Sequence, residues 1–541
     1  MKKIPAGEIA SPGLRRYEVL IFLTGAVTLA LEVLASRIMT PYFGVSLYIW
    51  AGILSITLIF LALGYHLGGR ISRGRENDAL MRLMLAAPLA AALAIVLATV
   101  LYPAIFPRLA TLNLVLASFL GGTLLLSLPL VVLSAMNPLL IALGREVRAG
   151  GDAGAGRVFF VSTVGSVAGV VFTAFLVIPH LSNFRALLWL SLGLGGAVAL
   201  LTALSREIPR SARKLLLSGC VLVMLLAAGL LAGQRAYFRL LAGMSDIGGN
   251  FDLLAEYTSV FGNIKVVEVR PDNPQRQPAR AYLQDGIIQN LVTADGVVLD
   301  HTGFICRLIS LYAPTGPDSL VLGMAAGMIP RYLAQQGHKV TAVEINPNSL
   351  DAATEFFGFN PREVDFHLED ARTFVRRHPN AYDLVVADLF QGDCTPDYLL
   401  TREFFGEVRA SLKPQGVVII NTWFDPANER VNDTILATVA AAFPHVLEFR
   451  SPSSQGLISS VCLVAAKVPL SPEPALELAG RQALPPKDYA TLKAARVVPR
   501  ESLAGVLPVS DDRNIFSILF AGSQLRYRRQ LNQLPPHLLV N

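Results

Sequence analysis

DSLVLGMAAGMIPRYL, at residues 318–333, begins the stretch that decides the fold, and TAVEINP (341–347), HLEDARTF (367–374), YDLVVADLF (382–390) and VVIINTW (417–423) follow it. An apolar strand enters a small-residue turn that contains Gly323, Ala325 and Gly327. The next strand ends in an acid, Glu344, about 20 residues on, where the hydroxyls of a ribose would lie. This order predicts a nucleoside-binding, doubly wound α/β domain.

Further carboxylates follow the next two predicted strands. Asp370 comes after the third strand and Asp388 after the fourth. Because parallel strands end at one edge of the sheet, and such sheets bind ligands there, these side chains are expected to converge on one site. A strand-end carboxylate in a half-buried cleft can be tuned as a general base, which makes Asp388 the candidate catalytic residue.

Three more segments extend the pattern on both sides, namely EYTSVFGNIKVVE (256–268), LQDGIIQ (283–289) and TPDYLLTREF (395–404). With them, residues 250–465 resemble the spermidine synthase (polyamine aminopropyltransferase) family. The resemblance implies decarboxylated S-adenosylmethionine as co-substrate and a small amine such as putrescine as acceptor. It places Asp370 and the Ala371 backbone at the adenine, and the side chains of four residues on the acceptor side, namely Asp285, Gln289, His301 and Gln391.

Three departures from the family pattern weaken aminopropyl transfer. Ala326 stands where the family has an Asp that faces the cationic end of the donor, Gln391 replaces a second catalytic-segment Asp, and Gly262 falls on a glutamine that holds the amine. Buried ammonium groups require carboxylates or strong acceptors. Two alternatives therefore stay open: methyl transfer from S-adenosylmethionine to a membrane-associated acceptor, and a non-catalytic nucleoside or polyamine sensor linked to transport.

The first half of the chain is unusually apolar. The protein has 541 residues, of which 53% are hydrophobic and 16% charged, with a mean hydropathy of +0.49. Seven runs are long enough to cross a bilayer as helices, near residues 18–38, 47–67, 80–103, 113–142, 157–178, 183–204 and 214–232. LEVLASRIMTPYFG (31–44) and GRVFFVSTVGSVAGVVFTAFLVIP (156–179) resemble the seven-span module that is fused to spermidine-synthase-like domains.

The predicted fold is a multi-pass α-helical membrane domain, then a small β subdomain, then a Rossmann-like domain of the class I methyltransferase type. The expected domains are a seven-span region, the β subdomain, the synthase-like domain and a C-terminal extension, at residues 1–235, 250–295, 296–466 and 467–541.

Basic residues favour one orientation in the membrane. They precede the first and seventh spans and follow the second and fourth: Lys2, Lys3, Arg15, Arg16, Arg70, Arg73, Arg75, Arg145, Arg148, Arg157, Arg206, Arg210, Arg213 and Lys214. The positive-inside rule then predicts a multi-pass protein of the cell (inner) membrane with a cytoplasmic N-terminus and an external C-terminal domain. S-adenosyl nucleosides are made in the cytosol, so the alternative is that the fourth run, with Pro129 and Pro138, folds back without crossing.

Several smaller expectations concern the membrane half and the partners. Glu32 is expected to face the bundle, paired with Arg37 or with a polar substrate. Gly165 and Gly169 share a helix face and predict close helix packing. The RYRR run (526–529) suits anionic lipid headgroups better than nucleic acid. The cysteines form no CxxC or Cys/His cluster, so no metal is expected. A bilayer, the acceptor and a second copy in a homodimer are the expected partners.

Overall fold

The computed structural model describes residues 12–145, 154–205, 207–243, 250–273, 275, 277–296, 298, 301–313, 316–450, 456–481, 484–531 and 534–541. The chain divides into two compact units. The helical unit contains the described residues of Met1–Phe43, Tyr48–Ser245 and Pro535–Asn541, and the sheet unit contains those of Gly44–Leu47 and Asp246–Leu534. Lys2, Lys3, Arg148 and Arg206 of the predicted basic segments lie outside the described residues.

Nine helices come first along the described chain: α1 (Pro12–Phe43), α2 (Leu47–Ile71), α3 (Asn77–Leu109), α4 (Leu114–Ser134), α5 (Met136–Arg145), α6 (Ala155–Phe172), α7 (Asn183–Leu204), α8 (Arg210–Ala232) and α9 (Gln234–Ala242). A π-helical turn, Thr173–Val177, extends α6. Seven spans in the described residues are long and apolar enough to cross a membrane. This number confirms the prediction of seven apolar helices and is compatible with a multi-pass membrane protein.

The fourth span runs from Leu114 to Gly144 over 31 residues. It is interrupted only at Ala135, between α4 and α5, where φ and ψ are −60° and −19°. These are helical values, so the chain keeps its direction. The fourth run therefore has the form of one spanning helix, and the expectation that it folds back is not supported.

Close packing joins α1 to α6. A Cβ atom on Gly165 would lie 2.1 Å from the Phe22 carbonyl oxygen, and one on Gly169 would lie 2.2 Å from the Ala26 carbonyl oxygen. Only glycine leaves room for a backbone approach this close. The packing role predicted for both glycines is therefore confirmed. Glu32 is half-buried and makes no ion pair or hydrogen bond with a described residue, so the expected pair with Arg37 is not formed.

Arg16 and Asn541 lie at opposite ends of the helical unit. At one end, Arg16 donates to the Leu204 carbonyl oxygen (2.9 Å) and Arg157 pairs with Glu18 (2.8 Å). The short helix α19 (Pro536–Leu539) leads to Asn541, whose carbonyl oxygen accepts from the Phe184 N–H (2.9 Å) at the start of α7. Since α7 begins at Asn183 and ends at Leu204, Asn541 lies at the end of the unit opposite to Arg16.

The sheet unit begins with a four-stranded antiparallel sheet of β1 (Asn250–Ser259), β2 (Gly262–Arg270), β3 (Ala279–Gln284) and β4 (Ile287–Thr293), paired in that order. Gly262 has φ +126°, and a Cβ atom there would lie 2.6 Å from the Asp285 carboxylate. A side chain at this position would be strained by the backbone conformation and would have to displace the Asp285 carboxylate. Glycine is therefore the residue that suits this close approach of the two hairpin turns.

The second sheet has eight strands in the order β12-β10-β11-β9-β8-β5-β6-β7. Strands β5 to β9 pair in parallel, and β11, β10 and β12 complete the sheet antiparallel. The bounds are β5 (Asp318–Leu322), β6 (Lys339–Glu344), β7 (Asp365–Leu368), β8 (Tyr382–Ala387), β9 (Leu412–Phe424), β10 (His445–Arg450), β11 (Ser459–Ala466) and β12 (Arg496–Val497). This is the predicted Rossmann-like fold.

Helices cover both faces of this sheet: α10 (His301–Tyr312), α11 (Met328–Gln335), α12 (Pro347–Phe356), α13 (Ala371–Arg376), α14 (Arg402–Ser411), α15 (Glu429–Ala442), α16 (Glu473–Arg481), α17 (Pro486–Lys493) and α18 (Phe516–Leu531). Successive strand residues alternate between two cores, so Leu320 and Leu322 pack on the face that carries α13, α14, α15 and α18, while Val321 packs on the face that carries α10, α11, α16 and α17. The described residues of 467–534 thus form part of both layers.

Candidate functional site

A cavity of about 290 Å³ opens where β5, β6, β7 and β8 end. Parallel strands bring their carboxyl ends to one edge, which is the usual ligand position in such sheets. The cavity is lined by Phe261, Gln284, Gln289, Asn290, Gly323, Met324, Ala325, Val343, Glu344, Ile345, Glu369, Asp370, Ala371, Asp388, Leu389, Phe390, Gln391, Pro396, Tyr398 and Leu399.

The loop between β5 and α11 forms one wall. Gly323 has φ +81°, and a Cβ atom there would lie 2.2 Å from the Asp388 carbonyl oxygen, so the loop must pass directly over the end of β8. Ala325 also has positive φ, at 43°. Gly327, at φ +75°, starts α11 and packs against the Phe359 ring without lining the cavity. Its role in the described structure is to turn the chain.

Ala326 is fully buried beneath the same loop. It packs in a cluster with Ile264 and Tyr282, and its N–H donates to Asn290 Oδ1 (3.0 Å). A carboxylate at this position would enter an apolar environment, so the protein lacks the acidic partner that the family places there. Asn290 also donates to Thr302 Oγ1 (2.9 Å). Sequence reasoning missed Asn290, although two adjacent polar residues in a buried strand are a detectable signal.

Glu344 is held by the backbone. Its Oε1 accepts from the N–H groups of Ile345 (3.0 Å) and Asn346 (2.9 Å), and its Oε2 accepts from Met324 N–H (3.0 Å). Burial raises the pKa of Glu344 above its usual value, and these N–H groups lower it in part. A carboxylate has about four acceptor positions. Backbone N–H groups therefore use most of these positions, which limits what the side chain can take from a ribose.

Asp370 caps the start of α13. Its Oδ1 accepts from Thr373 N–H (2.8 Å), and its Oδ2 accepts from the Tyr398 hydroxyl (2.6 Å). Burial acts to raise the pKa of Asp370, but these hydrogen bonds outweigh it and leave the pKa below its usual value. Burial and the neighbouring Asp370 raise the pKa of Tyr398, which therefore stays protonated and able to donate. Ala371, the next residue, lines the cavity beside them.

An ion-pair cluster supports this corner from behind. Arg372 donates to both oxygens of Asp511 (2.6 and 2.8 Å) and to both oxygens of Glu407 (2.8 and 3.0 Å). It also donates to the Tyr398 carbonyl oxygen (2.9 Å). Asp511 belongs to the SDDR segment near the C-terminus. This segment thus acts on the site through Arg372, which fixes Tyr398 and the start of α13.

Asp388 lies at the end of β8 and faces the cavity. Its Oδ1 accepts from Asn421 Nδ2 (2.8 Å), and Asn421 in turn accepts from Ser460 Oγ (2.5 Å). His301 Nε2 lies 3.7 Å from Asp388 Oδ2 and is not among the lining residues. This geometry orients one carboxylate oxygen through Asn421 and places the other beside His301, so that the candidate general base is held on both sides.

Carboxamides form the side of the cavity that the sequence predicts for the acceptor. Gln289 Nε2 donates to the Gly392 carbonyl oxygen (2.6 Å), and Gln391 Nε2 donates to the Phe261 carbonyl oxygen (2.9 Å). Asp285 is buried, accepts from Asn263 N–H (2.9 Å) and does not line the cavity. The cavity therefore brings together Gln289, Gln391 and Asp388, while Asp285 supports the hairpin behind them.

A buried ion pair holds the loop that carries Gln391. Arg528 Nε donates to Asp393 Oδ2 (2.8 Å), and the two side chains are 1% and 0% exposed. Gln524 Nε2 donates to Asp393 Oδ1 (3.1 Å), and Arg528 Nη1 donates to the Asp285 carbonyl oxygen (3.0 Å). Arg526 pairs with Asp425. Arg528 is therefore buried inside the sheet unit and Arg526 is ion-paired at its surface, so these two side chains do not support the lipid-headgroup interpretation of the RYRR run, which stays a prediction.

Most of the predicted site residues meet at this cavity. Those that line it are Gly323, Ala325, Glu344, Asp370, Ala371, Asp388, Gln289 and Gln391, and those that do not are Gly327, Asp285 and His301. Sequence reasoning missed Phe261, Gln284, Asn290 and Tyr398. Within the described residues, no group of three or more His, Cys, Asp or Glu side chains is arranged to hold a metal ion.

Comparisons with known proteins concern this same unit. Residues 320–416 match the sequence profile of a family described as "Methyltransferase domain". The polyamine aminopropyltransferase of Vibrio vulnificus is 30% identical over 153 residues, which are 27% of this chain and 50% of that protein. The N-terminal histidine N-methyltransferase of Emericella nidulans is 34% identical over 149 residues, which are 26% of each chain.

A probable spermidine synthase of solved structure, from Corynebacterium glutamicum, is 18% identical with a TM-score of 0.39, and the match covers 48% of this chain and 96% of that one. The chain spans half or less of the two curated relatives that it matches above. The sheet unit is thus similar to spermidine synthases and to methyltransferases, which confirms the family resemblance and agrees with the predicted transferase class.

Proposed function

We propose that the protein is a membrane-anchored transferase that uses an S-adenosyl sulfonium nucleoside and moves its aminopropyl group to an amine. One observation carries this proposal: a single cavity joins the glycine loop, Glu344, the Asp370–Ala371 pair and Asp388. The first three are placed to hold an adenine nucleoside, and the fourth to accept a proton. The similarity to polyamine aminopropyltransferases supports the same reaction.

The charge of the cavity favours the decarboxylated donor. Its described lining contains four carboxylates, Glu344, Glu369, Asp370 and Asp388, and no Lys, Arg or His. S-adenosylmethionine carries a carboxylate that would find no cationic side chain here, and like charges in one site repel. The decarboxylated form carries only a sulfonium and an ammonium. Glu369 is ion-paired with Arg377, and the other three carboxylates support a donor with two positive charges.

The transfer requires one proton acceptor. The amine nitrogen attacks the propyl carbon next to the sulfonium, a C–N bond forms, and the C–S bond breaks. The sulfur keeps the bonding pair, so the leaving group is neutral methylthioadenosine. The amine loses its proton to Asp388, whose other oxygen is held by Asn421. The sulfur loses its positive charge on transfer. The proton that the attacking amine gives up carries away the charge of that amine.

Methyl transfer is the second candidate. The match of residues 320–416 to a methyltransferase domain and the similarity to a histidine N-methyltransferase favour it. The absence of an acid at Ala326 also removes a partner for the ammonium of the decarboxylated donor. In this reaction the C–S bond of the methyl group would break, and the leaving group would be S-adenosylhomocysteine.

Calorimetry of the purified full-length protein with both sulfonium donors tests the proposal. We expect decarboxylated S-adenosylmethionine to bind at least about tenfold more tightly than S-adenosylmethionine, because only the latter places a carboxylate in an acidic cavity. Tighter binding of S-adenosylmethionine would favour methyl transfer. Binding of neither donor would leave a sensing or transport role.

The membrane orientation and the partners are part of the same proposal. The basic segments at Arg16 and Arg157 lie at one end of the helical unit, which supports a cytoplasmic N-terminus in the cell (inner) membrane. Seven spans then give an external C-terminal domain. We propose the lipid bilayer and an amine acceptor as partners, with a homodimer as the assembly and without nucleic acid.

A further inference from the structure

The two glutamines of the acceptor side have an orientation that the backbone dictates. Gln289 Nε2 lies 2.6 Å from the Gly392 carbonyl oxygen, and Gln391 Nε2 lies 2.9 Å from the Phe261 carbonyl oxygen. A backbone carbonyl only accepts hydrogen bonds, so the amide nitrogen, and not the amide oxygen, must face it. The O and N positions of both side chains follow from this chemistry alone.

The amide oxygens are consequently available to a ligand. Within the described residues, neither Gln289 Oε1 nor Gln391 Oε1 receives a hydrogen bond, and both side chains line the cavity. Gln284 repeats the arrangement with a longer contact, since its Nε2 lies 3.4 Å from the Phe261 carbonyl oxygen. This side of the cavity thus offers neutral acceptors to a ligand that carries N–H or O–H donors.

Asp388 is the carboxylate that remains for a cation on this side. Asp393 is paired with Arg528 and has no exposed surface. Asp285 and Asp397 do not line the cavity. The Arg528 guanidinium also lies close behind the loop, because a Cβ atom on Gly392 would be 3.7 Å from its Nη2. The same Cβ atom would be 3.6 Å from the Asp285 Cβ, but Asp285 does not line the cavity, so a second cation near Gln391 would meet no lining carboxylate on this side besides Asp388.

We propose that the acceptor is an amine with a single cationic nitrogen, whose other end carries a neutral hydroxyl or amide donor. This inference rests on the proposed function, since it names the acceptor of that transfer. The amine meets Asp388, which takes its proton, and the neutral donor meets the carboxamide oxygens of Gln289 and Gln391. A hydroxyl loses little when it exchanges water for a carboxamide oxygen, whereas an ammonium without a carboxylate pays a large desolvation cost.

Two matched amines test the inference by calorimetry on the full-length protein saturated with methylthioadenosine. The probes are 4-aminobutan-1-ol and butane-1,4-diamine, which have the same chain length and differ in one terminal group. We expect the amino alcohol to bind at least about tenfold more tightly. The Gln391→Glu variant adds a carboxylate at nearly constant volume and should reverse the preference. Gln335→Glu, at an exposed position of α11, is the control for added charge and should not.

The outcomes separate the inference from the proposed function. Tighter binding of the diamine to the wild-type protein, or no binding of either amine, overturns the inference while nucleoside binding stands. A Gln391→Glu variant that folds and keeps the wild-type preference also overturns it, and if that variant fails to fold, the wild-type comparison decides. Failure of methylthioadenosine to bind at all overturns the proposed function and the inference with it.

Discussion

The position of Glu344 was predictable from the sequence, but its hydrogen-bond partners were not. Its position at the end of β6 follows from the strand pattern, and the side chain does face the cavity. The three backbone N–H groups that occupy it could not be predicted, because they depend on the exact path of the loop at Met324 and on the turn after the strand. Most of the acceptor capacity of the carboxylate is therefore used by the loop itself.

The Glu344→Ala variant should bind the nucleoside more weakly by about 1.5–3 kcal/mol, the usual range for a hydrogen bond to a charged group. Calorimetry with methylthioadenosine measures this. The control is Glu363→Ala, at an exposed position outside the cavity. Equal affinities for wild type and Glu344→Ala would remove Glu344 from the nucleoside site.

Asp388 is the proposed proton acceptor, so its replacement should separate turnover from binding. The Asp388→Asn variant can keep the contact with Asn421 through its remaining oxygen but cannot take a proton. We expect a loss of turnover of about 10²-fold or more with nearly unchanged nucleoside affinity, as for removal of a general base. Asp351→Asn, on the exposed face of α12, serves as the control. Full turnover in Asp388→Asn would exclude the residue as the base.

At the scale of elements, the sequence predicts what local patterns encode. Strands β5, β6 and β8 were recognisable because each is an apolar run that leads to a glycine or an acid, whereas β7 (DFHL) is mixed and was placed by Asp370 after it. Helix α18 gave no such signal, and its basic run suggested a lipid surface. Its contribution is set by distant contacts, because Asp393 and Arg528 are 135 positions apart in the chain. Pairings of this kind are fixed by tertiary packing and have no local signature.

The buried pair between α18 and the Gln391 loop gives a stability prediction. The Arg528→Met variant leaves Asp393 buried without its cation, which should lower the free energy of unfolding by about 3–5 kcal/mol. The double variant Arg528→Met, Asp393→Leu removes both charges and should recover much of the loss. Thermal melting of the full-length protein in detergent compares the three proteins. Equal destabilisation by the single and double variants would show that packing, and not charge, explains the loss.

At the scale of the whole molecule, the number of spans was predictable from hydropathy, but the continuity of the fourth span was not. Pro129 and Pro138 allowed either a crossing or a hairpin, and the helical geometry at Ala135 favours the crossing. Asn541 then lies at the end of the helical unit opposite to Arg16. If all seven spans cross, the C-terminal domain is external. A donor that is made in the cytosol then has no direct access to the cavity.

A reporter fused after Asn541 tests this orientation. We expect a reporter that is active only outside the cytoplasm to be active there, because the seven candidate spans of the described residues would place an odd number of crossings between Arg16 and Asn541. A reporter that works only in the cytoplasm provides the control and should be inactive in the same fusion. The reverse pattern would mean that one span does not cross, and it would give the cavity direct access to cytosolic nucleosides.

Product mass tests the central claim most directly. The full-length protein is incubated with each sulfonium donor and a panel of amines, lipids and peptides, with Asp388→Asn in parallel. The account predicts a 3-aminopropyl adduct from decarboxylated S-adenosylmethionine on an amine, together with methylthioadenosine, in the wild-type reaction and not with the variant. A methyl adduct from S-adenosylmethionine would contradict aminopropyl transfer, and the absence of any adduct with both donors would contradict the transferase itself.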